Sequence, residues 1–144
     1  MFKELVAKKR YSFHQGFADW KDAVRAACKP LLDDGTCDPE YPEAIIAKVE
    51  ELGPYIVIAP DICIPHAQEA VGVHDTAICF MKTEEPVRFS DDGEHDARLF
   101  FVLASTDNAV HLKNLSEMAD ELSDEDFVAK LLKAKTPADL EALE

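Results

Sequence analysis

The sequence predicts an α/β sandwich: a mostly covered β-sheet packed between helices. Three observations carry that expectation. Apolar, β-branched runs recur at residues 55–59, 76–81 and 99–104, each short enough for a buried strand. Segments with helical spacing of apolar residues stand before, between and after them. The chain of 144 residues has the length of one domain with one core, so residues 1–144 are expected to form a single domain.

The elements follow in order. Arg10-Tyr11-Ser12-Phe13-His14-Gln15 alternates and carries two aromatics, which suits a first strand ended by Gly16. Asp19 is placed to N-cap a helix over residues 20–32; Pro30 weakens its last turn and Gly35 closes it. A second helix over residues 41–52 places Ala44, Ile45, Val49 and Leu52 near helical spacing and stops at Gly53-Pro54. Residues 55–59 read as a buried strand, and residues 60–67 as an irregular loop whose two prolines, Pro60 and Pro65, forbid helix and central strand. Strands are then expected at 76–81 and 87–89, with a polar acidic loop over 90–96. Residues 99–104, the most apolar stretch, are expected to form a central strand. Ser105, Thr106 and Asp107 are candidate caps for a helix whose apolar face holds His111, Leu112, Leu115, Met118, Ala119 and Leu122. Residues 123–126 start another helix, and Pro137 the last.

The composition excludes several function classes. Fifteen Lys and Arg stand against 29 Asp and Glu, a formal net charge of −14, which repels nucleic acid and anionic membranes. Hydrophobic residues make up 47 %, too many for a disordered chain, and no apolar run is long enough to span a bilayer. The first ten residues lack the apolar segment of a signal peptide, so a cytoplasmic location is expected. Five scattered glycines make no phosphate-cradling loop. Cys28, Cys37, Cys63 and Cys79 fit no common zinc spacing; Cys63-x-x-His66 is half a site with no second half, so no metal and no cofactor are expected. Cys79, inside an apolar run, reads as a core residue.

Two of the five histidines stand out. His66 follows a buried strand in a segment pinned by two prolines, where a rigid scaffold can present a ring in one pose. The competing reading is a solvated histidine after a strand end. His111 falls about one turn into a helix, on its apolar face and near the anion-attracting N-terminus. Its competing reading is a core-edge histidine bonded to a carbonyl. Together the two suggest histidine phosphorylation: neutral imidazole is a nucleophile near pH 7, and a covalent intermediate splits one transfer into two. With no nucleotide loop, the phosphoryl group is expected from another protein.

Gly53-Pro54-Tyr55-Ile56-Val57-Ile58-Ala59-Pro60-Asp61-Ile62-Cys63-Ile64-Pro65-His66-Ala67 closely resembles the active-site segment of enzyme IIA components of the bacterial phosphotransferase system (PTS). The likeness is to the mannitol/fructose superfamily (type 2), and within it to the ascorbate-type branch. It extends to the helix at Trp20-Lys21-Asp22-Ala23-Val24, the helix over residues 41–52, and Val71-Gly72-Val73. The resemblance implies a mixed β-sheet of about five strands flanked by helices. It implies that HPr, the general phosphocarrier, phosphorylates His66, and that His66 passes the group to a cysteine of a cognate IIB protein or domain. The IIB then phosphorylates ascorbate, or a related pentose or polyol, entering through a membrane IIC. It implies phosphate hydrogen bonding for His111. Three positions depart from the family pattern. Ala67 and Gln68 stand where Gly and Arg are frequent, and Asp61 where a small residue is usual, close enough to repel a phosphoryl group or to tune the histidine. Lys48 is a candidate replacement cation. Ile62 and Ile64 are candidates for an apolar docking surface, with the core as their alternative. Against the carrier stand a IIA-like regulatory module, whose His66 phosphorylation state controls a partner protein, and a domain that has lost transfer activity.

Overall fold

The computed structural model describes residues 1–67 and 71–143. The chain runs α1 (Phe2–Ala7), β1 (Tyr11–His14), α2 (Trp20–Asp33), α3 (Glu40–Leu52), β2 (Val57–Ala59), β3 (Asp61–Cys63), β4 (Ala77–Arg88), β5 (Asp96–Ala104), α4 (Asn108–Glu121), α5 (Glu125–Lys133) and α6 (Pro137–Glu141). The sheet order is β1-β4-β5-β3-β2. β1 runs parallel to β4 and β3 parallel to β5, while β4–β5 and β2–β3 are antiparallel. This is the expected mixed five-stranded sheet.

β5 is central, as its composition predicts, and its alternation divides the core. Leu99, Phe101 and Leu103 face one layer with Ile62, Ile64 and Phe80, whereas Phe100, Val102 and Ala104 face the other with Cys79 and Met81. The second layer lies under α2 and α3, the first under α1, α4, α5 and α6. A strand buried on both faces reads as a continuous apolar run because successive side chains point to opposite sides.

Local chemistry sets the helix ends. The Asp19, Asp107 and Asp124 carboxylates accept N–H groups of the first turns of α2, α4 and α5. Thr136 and Asp139 form a reciprocal capping box on α6, with Pro137 at its start. Gly53 ends α3 at φ +84°, in the left-handed region that glycine occupies without penalty.

Four expectations need correction. Residues 60–67 contain β3, a strand between β5 and β2: Pro60 and Pro65 bracket its three ladder residues and interrupt none of them. β2 is a short edge strand with Ile58 exposed, and only Ile56 of the run before it is wholly buried. The strands expected at 76–81 and 87–89 are one strand, β4, whose register slips between Lys82 and Val87, where exposed Pro86 sits. On α4 the buried positions are His111 and Met118, with Leu122 just beyond its end, while Leu112 and Ala119 are exposed. α1 was not anticipated. It is held by Phe2 and Leu5, with Phe2 meeting Phe80 edge-on at 5.7 Å.

Candidate functional site

His66 lies three residues beyond β3, in a segment fixed by backbone hydrogen bonds. The Ile64 N–H donates to the Ile56 carbonyl at 2.7 Å, and the Leu103 N–H donates to the Pro65 carbonyl at 3.1 Å. The Tyr55 hydroxyl donates to the His66 carbonyl, and the Ala67 N–H donates to the Tyr41 hydroxyl at 3.3 Å. The Tyr55 and His66 rings also meet in a T-shaped contact, centroids 5.2 Å apart at 84°. The conformation around His66 is therefore imposed by the residues just before β2, by α3 and by β5 together.

The imidazole is oriented by its own backbone. His66 Nδ1 is 2.6 Å from the Ile64 carbonyl oxygen. A carbonyl only accepts, so Nδ1 carries the hydrogen in the neutral ring and Nε2 carries the lone pair. His66 is 8 % exposed. Burial lowers its pKa below the ordinary value of 6.5, opposed in part by the bond to Ile64. At neutral pH the ring is uncharged, with Nε2 available as a nucleophile.

His111 comes to the same place from the other side of the β5–α4 turn. Its ring centroid is 5.6 Å from that of His66. It is 4 % exposed, and its Nε2 is buried with no hydrogen-bond partner among the described residues. Burial, then the neighbouring His66, holds its pKa below 6.5. Asp107 caps α4 through the Val110 N–H, one turn from the two rings. A buried polar atom without a partner is costly unless a ligand supplies one, so His111 Nε2 is placed to hydrogen-bond a group held beside His66.

The family model for the phosphoenolpyruvate-dependent sugar phosphotransferase system, EIIA 2, matches residues 4–143. The chain belongs to the type 2 EIIA family of the PTS. The ascorbate-specific PTS EIIA component of Mycoplasma pneumoniae is 33 % identical over 120 residues, covering 83 % of this chain and 75 % of that protein. A crystal structure assigned to a PTS IIA domain of Streptococcus pyogenes M1 GAS superposes with a TM-score of 0.87 at 26 % identity, covering 99 % of this chain and 92 % of the other. The mannitol IIA of Escherichia coli superposes at 0.80 with 25 % identity, over 95 % and 96 % of the two chains.

Within this EIIA the departures from the family pattern acquire physical readings. Asp61 has φ +68°, a left-handed backbone that explains why a glycine suits the position and an aspartate tolerates it. Its carboxylate is paired in bidentate fashion with Arg98, at 3.0 and 2.9 Å, which neutralises it locally. Lys48 pairs with Glu51 at 3.7 Å on the surface of α3. Ala67 is buried beside Tyr41; Gln68 lies outside the described residues. Ile62 and Ile64, 3 % and 0 % exposed, are core residues, so the docking expectation for them is corrected. Ile64 turns inward because the residue before Pro65 continues the β3 alternation. The large apolar side chains exposed among the described residues are instead Leu52, Ile58, Val71, Val110 and Leu112. All four cysteines are free and buried, and burial pushes the Cys63 thiol well up, so it is no candidate metal ligand or nucleophile. The roles of Tyr41 and Tyr55 went unread in the sequence. A tyrosine's apolar ring fits a helical or strand pattern without revealing where its hydroxyl points.

Proposed function

We propose that this EIIA is a histidine phosphocarrier: His66 accepts a phosphoryl group from HPr and passes it to a cysteine of a cognate IIB. The observation that carries the reading is the pairing of the His66 Nε2 lone pair with the partnerless Nε2 of His111, on rings 5.6 Å apart. In the first step the P–N bond of phosphohistidine on HPr breaks as His66 Nε2 bonds to phosphorus, and the donor imidazole leaves. His111, as its Nε2–H tautomer, donates to a phosphoryl oxygen. In the second step a IIB thiolate takes the phosphoryl group and His66 returns to its free form. Positioning and charge stabilisation do most of the work in such transfers. Val110 and Leu112 flank His111 on α4 and supply an apolar docking surface. Ascorbate, or a chemically related pentose or polyol, is the sugar class, in keeping with the names of the curated relatives.

Incubation with Enzyme I, HPr and phosphoenolpyruvate, read by intact mass, tests the reading. Wild type gains one phosphoryl group, His66→Ala gains none, and His111→Ala gains it more slowly. No added mass on wild type, with a control IIA labelled in parallel, overturns it and leaves a binding role as the better account.

A further inference from the structure

We infer that Tyr41 is a positioning residue whose single hydroxyl sets the spacing of the two active-site imidazoles. The inference rests on the phosphocarrier reading for its kinetic consequence, not for its geometry. Tyr41, on the first turn of α3, is 1 % exposed. Its hydroxyl donates to the Leu103 carbonyl and accepts from the Ala67 N–H at 3.3 Å. One bond reaches the end of β5 and the other the residue that follows His66.

Both ends lead through the backbone to one of the two histidines. On the β5 side, Leu103 is followed by Ala104 and by Ser105. The Ser105 hydroxyl donates to the Asp107 carbonyl at 3.0 Å and accepts the Asp107 N–H at 3.2 Å. Asp107 then accepts the His111 N–H at 2.9 Å, the first backbone bond of α4 to reach the histidine. On the other side, Ala67 is bonded covalently to His66. The two histidines belong to different elements, and Tyr41 comes from a third. A hydroxyl that donates once and accepts once is the smallest group that can tie both. Tyr55 does something different: its hydroxyl donates to the His66 carbonyl and its ring packs against the His66 ring.

Tyr41→Phe keeps the ring and its packing while removing both bonds. The readouts are 15N NMR of the imidazoles in the unphosphorylated protein and the rate at which His66 is labelled by phosphoramidate, a small donor from which ammonia leaves as Nε2 bonds to phosphorus. His66→Ala is the labelling control and circular dichroism the folding control. The folded Tyr41→Phe variant is expected to label about tenfold more slowly, with shifted 15N resonances for both His66 and His111. Tyr55→Phe is expected to shift His66 alone. Wild-type labelling with both imidazole spectra unchanged in Tyr41→Phe overturns the inference. If Tyr41→Phe does not fold, wild type decides by hydrogen exchange. The Ala67 amide, donor to this hydroxyl, is expected to exchange about 100-fold or more slowly than an open loop amide, and exchange at the open rate overturns the brace. Failure of wild type to label from either HPr or phosphoramidate sinks the carrier reading, while the spectra still judge the brace.

Discussion

One nitrogen of His66 is bound to the fold, and the other is the one the carrier reading assigns to the chemistry. Nδ1 is held by the Ile64 carbonyl, and burial keeps the ring neutral. The sign of the pH dependence follows. A base whose folded pKa lies below its unfolded value of 6.5 binds protons less readily in the folded state, so stability is full above pH 6.5 and is lost as pH falls through that value toward the folded pKa. His111 shifts in the same direction. Thermal melts of wild type are therefore expected to show a falling Tm between pH 7.5 and 5.5, and His66→Gln/His111→Gln a smaller fall; equal slopes would remove the two rings as its source. Labelling by HPr is expected to hold steady as pH drops through 6.5 and to decline only below it. A midpoint at or above 6.5 in a rate–pH series contradicts a depressed His66. Ile64 separates core from surface at the same scale. Ile64→Asp buries an unpaired carboxylate and is expected to cost about 4 kcal/mol or more, enough to unfold a domain of this size. Leu112→Asp, on an exposed side chain, is expected to keep wild-type Tm and to lower the rate of transfer from HPr several-fold. Urea melts and stopped-flow labelling read the two.

At the scale of elements, the helix caps were the most legible feature. Asp19, Asp107 and Pro137 announce α2, α4 and α6, because capping is a local exchange between a side chain and the nearest free N–H groups. Asp107→Ala is expected to destabilise the protein by about 1 kcal/mol. It should also slow phosphorylation more than Asp124→Ala, whose helix carries neither histidine. Equal effects of the two on labelling would detach the α4 terminus from the site. β5 was legible because it is apolar on both faces. β3 was not: with three ladder residues between two prolines, its pairing is decided by β5 and β2, which lie far away in sequence. α1 escaped notice because six residues are too few for a periodicity, and only Phe80 and Phe101 reveal what Phe2 packs against. Both candidate histidines stand out in the sequence. Their contact, the tautomer and the two tyrosine hydroxyls do not, since each depends on the join between β3, β5 and α3. The misassigned docking residues have the same origin: Ile62 and Ile64 look exposed only when residues 60–67 are taken for a loop.

Over the whole molecule, the dominant property is charge. A formal net charge of −14 is spread over a surface on which most cations are already paired: Arg25 with Glu43 and Asp22, Lys29 with Asp33, Arg98 with Asp61. Such a surface repels nucleic acid and favours encounter with a protein carrying a positive patch. Beside His111 on α4 the exposed side chains include the apolar Val110 and Leu112. On the proposed carrier function, long-range charge would act on encounter with the donor and short-range apolar contact on the complex, so salt and mutation should act on different constants. Raising ionic strength from about 0.05 to 0.5 M shortens the Debye length from roughly 14 Å to about 4 Å. The second-order rate constant for labelling by HPr is expected to fall about tenfold or more over that range. The first-order rate within the saturated complex should stay constant, because the reacting groups are buried and unscreened. Leu112→Asp should instead weaken the complex at every salt concentration, since the lost contact is apolar. Single-turnover labelling at several HPr concentrations separates the two constants. A second-order constant insensitive to salt would mean that the acidic surface has no part in donor encounter and serves solubility alone.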